Sequence, residues 1–191
     1  MPAPTLKAAE SAKLKKFNIS SERFNTEYAA LKRRHFTDEQ ARHLIIREYS
    51  SRAVSAVLDN TDMLLRAPYQ LDYTQIVRIA AHRGGSNNVE KFALLFSDLI
   101  ELGLDQGQIV RIAGVKGGAN NLQAIKDNYG RLNALQFTNK QITHIAANTG
   151  GAITIDALLL AHGALRYLGL SLEQIASIAG NQGGSINIKA V

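Results

Sequence analysis

Four pairs of residues carry side chains suited to recognition, and they recur at one place in a longer pattern. They are His82-Arg83, Val115-Lys116, Asn148-Thr149 and Asn181-Gln182, each directly before Gly-Gly. The pairs differ in every copy, while the flanking Ile-Ala and Gly-Gly do not. Variation confined to one loop position of a repeated scaffold is what a modular reader needs. Free drift of exposed loop tips leaves the same trace. A second source of chemistry is charge. The net charge of +6 divides into +5 over residues 1–35, −1 over 36–70 and +2 over 71–191. The excess lies in Lys13, Lys15, Lys16, Lys32, Arg33 and Arg34. Such a cluster attracts phosphates, though a solvated helix face carries the same residues.

Bond-making chemistry is not visible. There is no P-loop, no dinucleotide fingerprint and no His-Glu-x-x-His zinc helix. The five histidines are scattered: His162 takes the place of Phe96 and Tyr129 and reads as packing, and His144 replaces Arg78 and Arg111 and reads as surface. Asp38-Glu39 falls in a helix first turn, where carboxylates complement the dipole. The expectation is a protein that is not an enzyme, with no catalytic residue, no metal, no cofactor and no small-molecule substrate.

The elements that would position the pairs follow from a period. Gly84-Gly85, Gly117-Gly118, Gly150-Gly151 and Gly183-Gly184 are spaced by 33 residues. Asp72, Asp105, Thr138 and Ser171 read as N-caps, with a glutamine three positions on to complete a capping box. Gly-Gly is expected to stop the first helix as a left-handed C-terminal cap. A second helix follows on apolar positions: Val89, Phe92, Leu99 and Leu102, then Leu122, Ile125, Leu132 and Leu135, then Ile155, Leu158, Leu165 and Leu168. One such unit cannot bury its own face, so neighbours must stack into an α-solenoid. The units are 71–103, 104–136, 137–169 and a partial 170–191.

Upstream, Phe36-Thr37-Asp38-Glu39-Gln40 repeats the capping pattern, with Tyr49-Ser50 in place of Gly-Gly. Phe24, Tyr28 and Leu31 suggest another helix behind a Ser20 or Ser21 cap. Residues 18–70 thus read as degenerate N-terminal capping repeats, and 1–17 as a flexible basic tail. The absence of cysteine excludes disulfide scaffolds and thiol catalysis. No apolar run is long enough to span a bilayer, and no secretory signal is visible, so no membrane partner is expected.

The pattern Leu-x-x-x-Gln-Ile-Val-x-Ile-Ala-x-x-x-Gly-Gly, on its 33-residue period, resembles the DNA-binding repeats of transcription activator-like (TAL) effectors. It is closer to the short, divergent TAL-like proteins of bacterial symbionts. Ala67-Pro68-Tyr69-Gln70-Leu71 also looks like the junction before a TAL first repeat. The likeness is strong over 71–191, weak over 36–70 and only positional before that. It implies an all-α, right-handed α-solenoid of helix–Gly-Gly loop–helix repeats that binds double-stranded DNA as a monomer. Each repeat would read one base in the major groove. The first variable residue (His82, Val115, Asn148, Asn181) would steady the loop by bonding back to the first helix. The second (Arg83, Lys116, Thr149, Gln182) would point at the base. Val115 has no polar atom for the steadying role.

Arginine and lysine donate to guanine, glutamine pairs with adenine, and threonine is ambiguous, so the expected core is G-G-N-A. Phosphates would meet the start of each second helix, at Gly84, Gly85, Ser86, Asn87, Gly117, Gly118, Asn120, Gly150, Gly151, Gly183, Gly184 and Ser185. The lysine that TAL repeats often carry after Gly-Gly is missing from all four, and Ile153 and Ile186 stand where a polar partner would. The likeness further implies a secreted bacterial effector acting in a host nucleus, or otherwise a cytoplasmic protein. The competing expectation is a protein-binding α-solenoid without sequence-specific DNA binding.

Overall fold

A computed structural model of the chain describes residues 8–47 and 51–191, and all regular structure among them is helical. The helices are α1 (Ala8–Lys16), α2 (Ser21–Arg33), α3 (Asp38–Arg47), α4 (Ser51–Leu64), α5 (Tyr73–Ala80) and α6 (Gly85–Glu101). They continue with α7 (Gln106–Ala113), α8 (Gly118–Ala134), α9 (Asn139–Ala146), α10 (Gly151–Tyr167), α11 (Leu172–Gly180) and α12 (Gly184–Ala190). None is long and apolar enough to cross a membrane.

Local capping decides where helices begin. Asp72, Asp105, Thr138 and Ser171 each accept from the amide three residues on, and the glutamine there accepts from the cap's own amide in return. These boxes open α5, α7, α9 and α11. Thr37 and Gln40 form the same box ahead of α3, at 2.9 and 3.2 Å. Ser20, rather than Ser21, caps α2 through the Arg23 amide. Each box satisfies two amides that a helix start leaves open.

The chain divides into two compact units, residues 1–89 and 90–191. The division falls within α6 rather than at residue 70. The reason is packing: α5 lies against α3 and α4, so the first full repeat begins among the N-terminal helices. Phe36 meets Tyr73 edge-on there, with ring centroids 4.8 Å apart. Residues 8–16, expected as tail, form α1 instead, because Leu14 and Ile19 are buried and draw the segment against α3. Residues 1–7 and Tyr49-Ser50 lie outside the described residues.

In the second unit α7 packs on α8, α9 on α10 and α11 on α12. The short helices also contact in order, α7 with α9 and α9 with α11, and so do the long ones, α8 with α10 and α10 with α12. Phe92, Leu99, Leu122, Ile125, Leu132, Ile155, Leu158 and Leu165 fill the interior as the spacing predicts. Leu168 is a correction: it is 58% exposed. It is the C-cap residue of α10.

Candidate nucleic-acid interface

The backbone builds nearly one turn three times. After α5, α7 and α9, a single residue leaves helical geometry (Ala81, Gly114, Ala147). A four-residue turn follows. Its first carbonyl accepts from the second glycine's amide: His82 from Gly85 at 2.7 Å, Val115 from Gly118 at 2.9 Å, Asn148 from Gly151 at 3.1 Å. The third residue is the first glycine, at φ +87° (Gly84), +82° (Gly117) and +89° (Gly150). That is the third position of a type II turn, where a positive φ favours glycine. The second residue is then the tip, and Arg83, Lys116 and Thr149 are exposed there.

The role of Gly-Gly differs from expectation. It does not stop the first helix, which in α5, α7 and α9 ends four residues before the first glycine. The left-handed glycine is instead the N-cap of the second helix, as at Gly117, Gly150 and Gly183. The second glycine has ordinary helical geometry but no room. A Cβ on Gly85, Gly118, Gly151 or Gly184 would lie 1.8, 2.2, 2.3 or 1.9 Å from the carbonyl oxygen of Ala80, Ala113, Ala146 or Ala179. The unvarying Ile-Ala and Gly-Gly are thus two sides of one contact.

Of the first variable residues, Asn148 donates from Nδ2 to the Ile145 carbonyl at 2.5 Å, back onto α9. His82 and Val115 are half-buried. The turn at Val115 is closed like the others, although its side chain has no polar atom. Asn181 is exposed and extended, at φ −80° and ψ 161°, because α11 runs one residue further, through Gly180. Gln182 is exposed, and its carbonyl accepts from Asn187 Nδ2 at 3.3 Å. The fourth loop therefore departs from the other three. His144, expected at the surface, is half-buried against it: a Cβ on Gly180 would lie 2.1 Å from the imidazole ring.

At the second-helix starts, Asn87 and Asn120 are exposed and Ser86 and Ser185 half-buried. The amides of Gly85, Gly118 and Gly151 are spent on the turns, so they are not open donors for a phosphate. Ile153 and Ile186 are 63% and 71% exposed.

One residue escaped the sequence reading. Asn121, buried in α8, donates from Nδ2 to the carbonyls of Ala146 (2.8 Å) and Asn148 (2.9 Å), and its Oδ1 accepts from the Ala152 amide (2.8 Å). Asn88 and Asn187 share its place in the period, and Thr154 alone differs. That run of polar residues inside an apolar helix face was the available signal.

Among the N-terminal cations, Lys13, Lys15, Lys16 and Arg33 are exposed. Lys32 pairs with Asp38 at 2.8 Å, and Arg34 with Asp62. The Lys32 and Tyr28 hydrogen bonds hold the Asp38 carboxyl below its usual range, and the Arg34 guanidinium does so for Asp62. Two of the six cations are thus partly neutralised within the protein. His162 meets Phe137 edge-on at 5.8 Å, and its Nε2 is buried without a hydrogen-bond partner. Burial, helped by Arg166, lowers its pKa. Among the described residues no cluster of three His, Asp or Glu could hold a metal.

No protein-family model matches the chain, and no curated protein sequence matches it either.

Proposed function

We propose that the chain is a double-stranded DNA-binding α-solenoid that offers one base-reading side chain per loop. The observation carrying this reading is the turn geometry: Arg83, Lys116 and Thr149 occupy the same exposed tip, each ahead of a left-handed glycine and a glycine that admits no Cβ. The residue type at the tip varies while its presentation does not. The resemblance of the repeats to TAL effector repeats adds to this. Arg83 and Lys116 have the donors for guanine O6 and N7, and Gln182 can pair with adenine N6 and N7. Lys13, Lys15, Lys16 and Arg33 supply sequence-independent attraction to phosphates.

The test is a fluorescence-anisotropy titration of a G-G-N-A duplex against a scrambled duplex, at low and physiological salt. Affinity should fall steeply with salt, with a log–log slope of about −0.9 per phosphate neutralised. Failure to bind any duplex at low salt would refute the reading. A second reading, a protein-binding helical module, draws on Ile153, Leu160, Tyr167 and Ile186, exposed at 63%, 86%, 91% and 71%. Apolar side chains cannot pair with phosphates, and exposed apolar surface suits a protein partner. The same titration separates the two.

A further inference from the structure

We infer that Asn121 is a positioning residue that fixes the loop of the following repeat, so that what Thr149 presents is set from the repeat before it. The base-reading part of this rests on the function proposed above. The clamp itself does not.

The three bonds of Asn121 fall on both sides of the tip. Ala146 is the last residue of α9, and its carbonyl is among those a helix end leaves open. Asn148 begins the turn, and Ala152 lies in the first turn of α10, where amides lack helical partners. One planar amide therefore ties the end of α9, the turn and the start of α10 together across Thr149-Gly150-Gly151. Asn121 is 1% exposed, so water does not compete for these bonds. The chemistry requires two donors and an acceptor on a short stem. Aspartate keeps the acceptor and loses the donors, and leucine keeps only the volume.

The fourth loop is the natural comparison. Thr154 stands in α10 where Asn121 stands in α8. Its hydroxyl bonds to the Gly150 carbonyl at 3.2 Å, within its own helix start, and its methyl carbon lies 2.9 Å from a Cβ built on Gly184. It reaches the right place without an amide to give. There α11 overruns by one residue and Asn181 is extended and exposed. The clamped loop is a closed turn, and the loop facing Thr154 is not.

The experiment uses the full chain and three variants: Asn121→Ala, Asn121→Asp and Thr154→Asn. Amide hydrogen exchange by NMR reads the loops directly. Asn121→Ala should speed exchange at Ala152 by roughly tenfold or more, as expected for a missing buried partner, with little change in α7. Asn121→Asp keeps the acceptor for the Ala152 amide and loses both donors, so it should leave Ala152 protected and speed exchange at Gly151, whose amide closes the turn on the Asn148 carbonyl. Thr154→Asn should slow exchange in the fourth loop. Unchanged exchange at Ala152 in Asn121→Ala, or an equal acceleration throughout the chain, would overturn the clamp.

Base selection from a random duplex library reads the consequence, in a Thr149→Arg background that gives the third position a guanine preference. Adding Asn121→Ala should flatten that preference and leave the first two positions intact. A preference that survives a loosened loop would overturn the positioning role. If Thr149→Arg itself brings no guanine, the base-reading function fails, and the exchange result still decides the clamp.

Discussion

Replacing Gly118 by alanine tests the close approach on which the repeated loop depends. The new Cβ would lie 2.2 Å from the Ala113 carbonyl oxygen, with the carbonyl carbon and Cα of Ala113 at 2.6 and 2.8 Å. All three are backbone atoms, so no rotamer change relieves the overlap. Ile112 and Ala113 are fully buried, which stops α7 from retreating. Overpacking against such a wall costs about 3 kcal/mol, the upper part of the usual range. Alanine in a helix returns about 1 kcal/mol over glycine. The net loss is about 2 kcal/mol, or about 4–8 °C in Tm for a chain of this size.

Gly130, in the same helix with open space around it, is the control: alanine there should raise Tm by about 2–4 °C. Gly117 separates geometry from room. A Cβ there meets nothing within 4 Å, but its φ of +82° is left-handed. Alanine should cost about 1–2 kcal/mol, and asparagine less. Thermal unfolding followed by helical circular dichroism reads all four. A Gly118→Ala protein as stable as Gly130→Ala would refute the close approach.

Other consequences are simpler to state. Asp105→Ala removes the acceptor of one capping box and should cost about 1 kcal/mol in chemical denaturation, with Asp105→Ser recovering most of it. His162 has its folded pKa held down by burial, whereas the unfolded chain protonates near the ordinary value of 6.5. Stability should therefore be full above that value and fall as pH drops below it. His162→Phe, which installs the residue found at the equivalent Phe96, should flatten this part of the pH–stability profile. Lys15→Ala with Lys16→Ala should weaken binding to all duplexes alike and make the salt slope shallower by about 0.9 for each phosphate no longer neutralised. A change in base preference instead would show that these lysines do more than attract phosphate.

Features encoded within a few residues were the legible ones. The caps are legible because a cap and its glutamine are three residues apart, and the paired text repeats every 33 residues. The second-helix interior is legible from its spacing. The job of Gly-Gly was misassigned because a left-handed glycine most often follows a helix end, whereas here it opens a helix start. Only the position of Ala81, Gly114 and Ala147 distinguishes them. Partners far along the chain stayed hidden. Asp62 lies 28 residues from Arg34, and Asn121 reaches 25 to 31 residues ahead. The helix at 8–16 was missed because its lysines mask the pull of Leu14 and Ile19.

On the DNA-binding reading, the donors are unevenly distributed, and this limits what the chain can specify. Arg83 and Lys116 are cationic tips, while Thr149 and Gln182 are neutral. Behind the last two loops, Ile153 and Ile186 replace the polar side chains of Asn87 and Asn120. Charge and phosphate-pairing groups thus decline together from the first loop to the fourth, and the fourth also lacks the closed turn. The exposed Lys13, Lys15, Lys16 and Arg33 add affinity without sequence information. Firm discrimination should then come from the first two positions, with a tunable third step set through Asn121. Two to four specified base pairs recur far too often to single out one site in a genome. On that reading, these four loops by themselves would favour broad occupancy of guanine-containing duplex, modulated by salt.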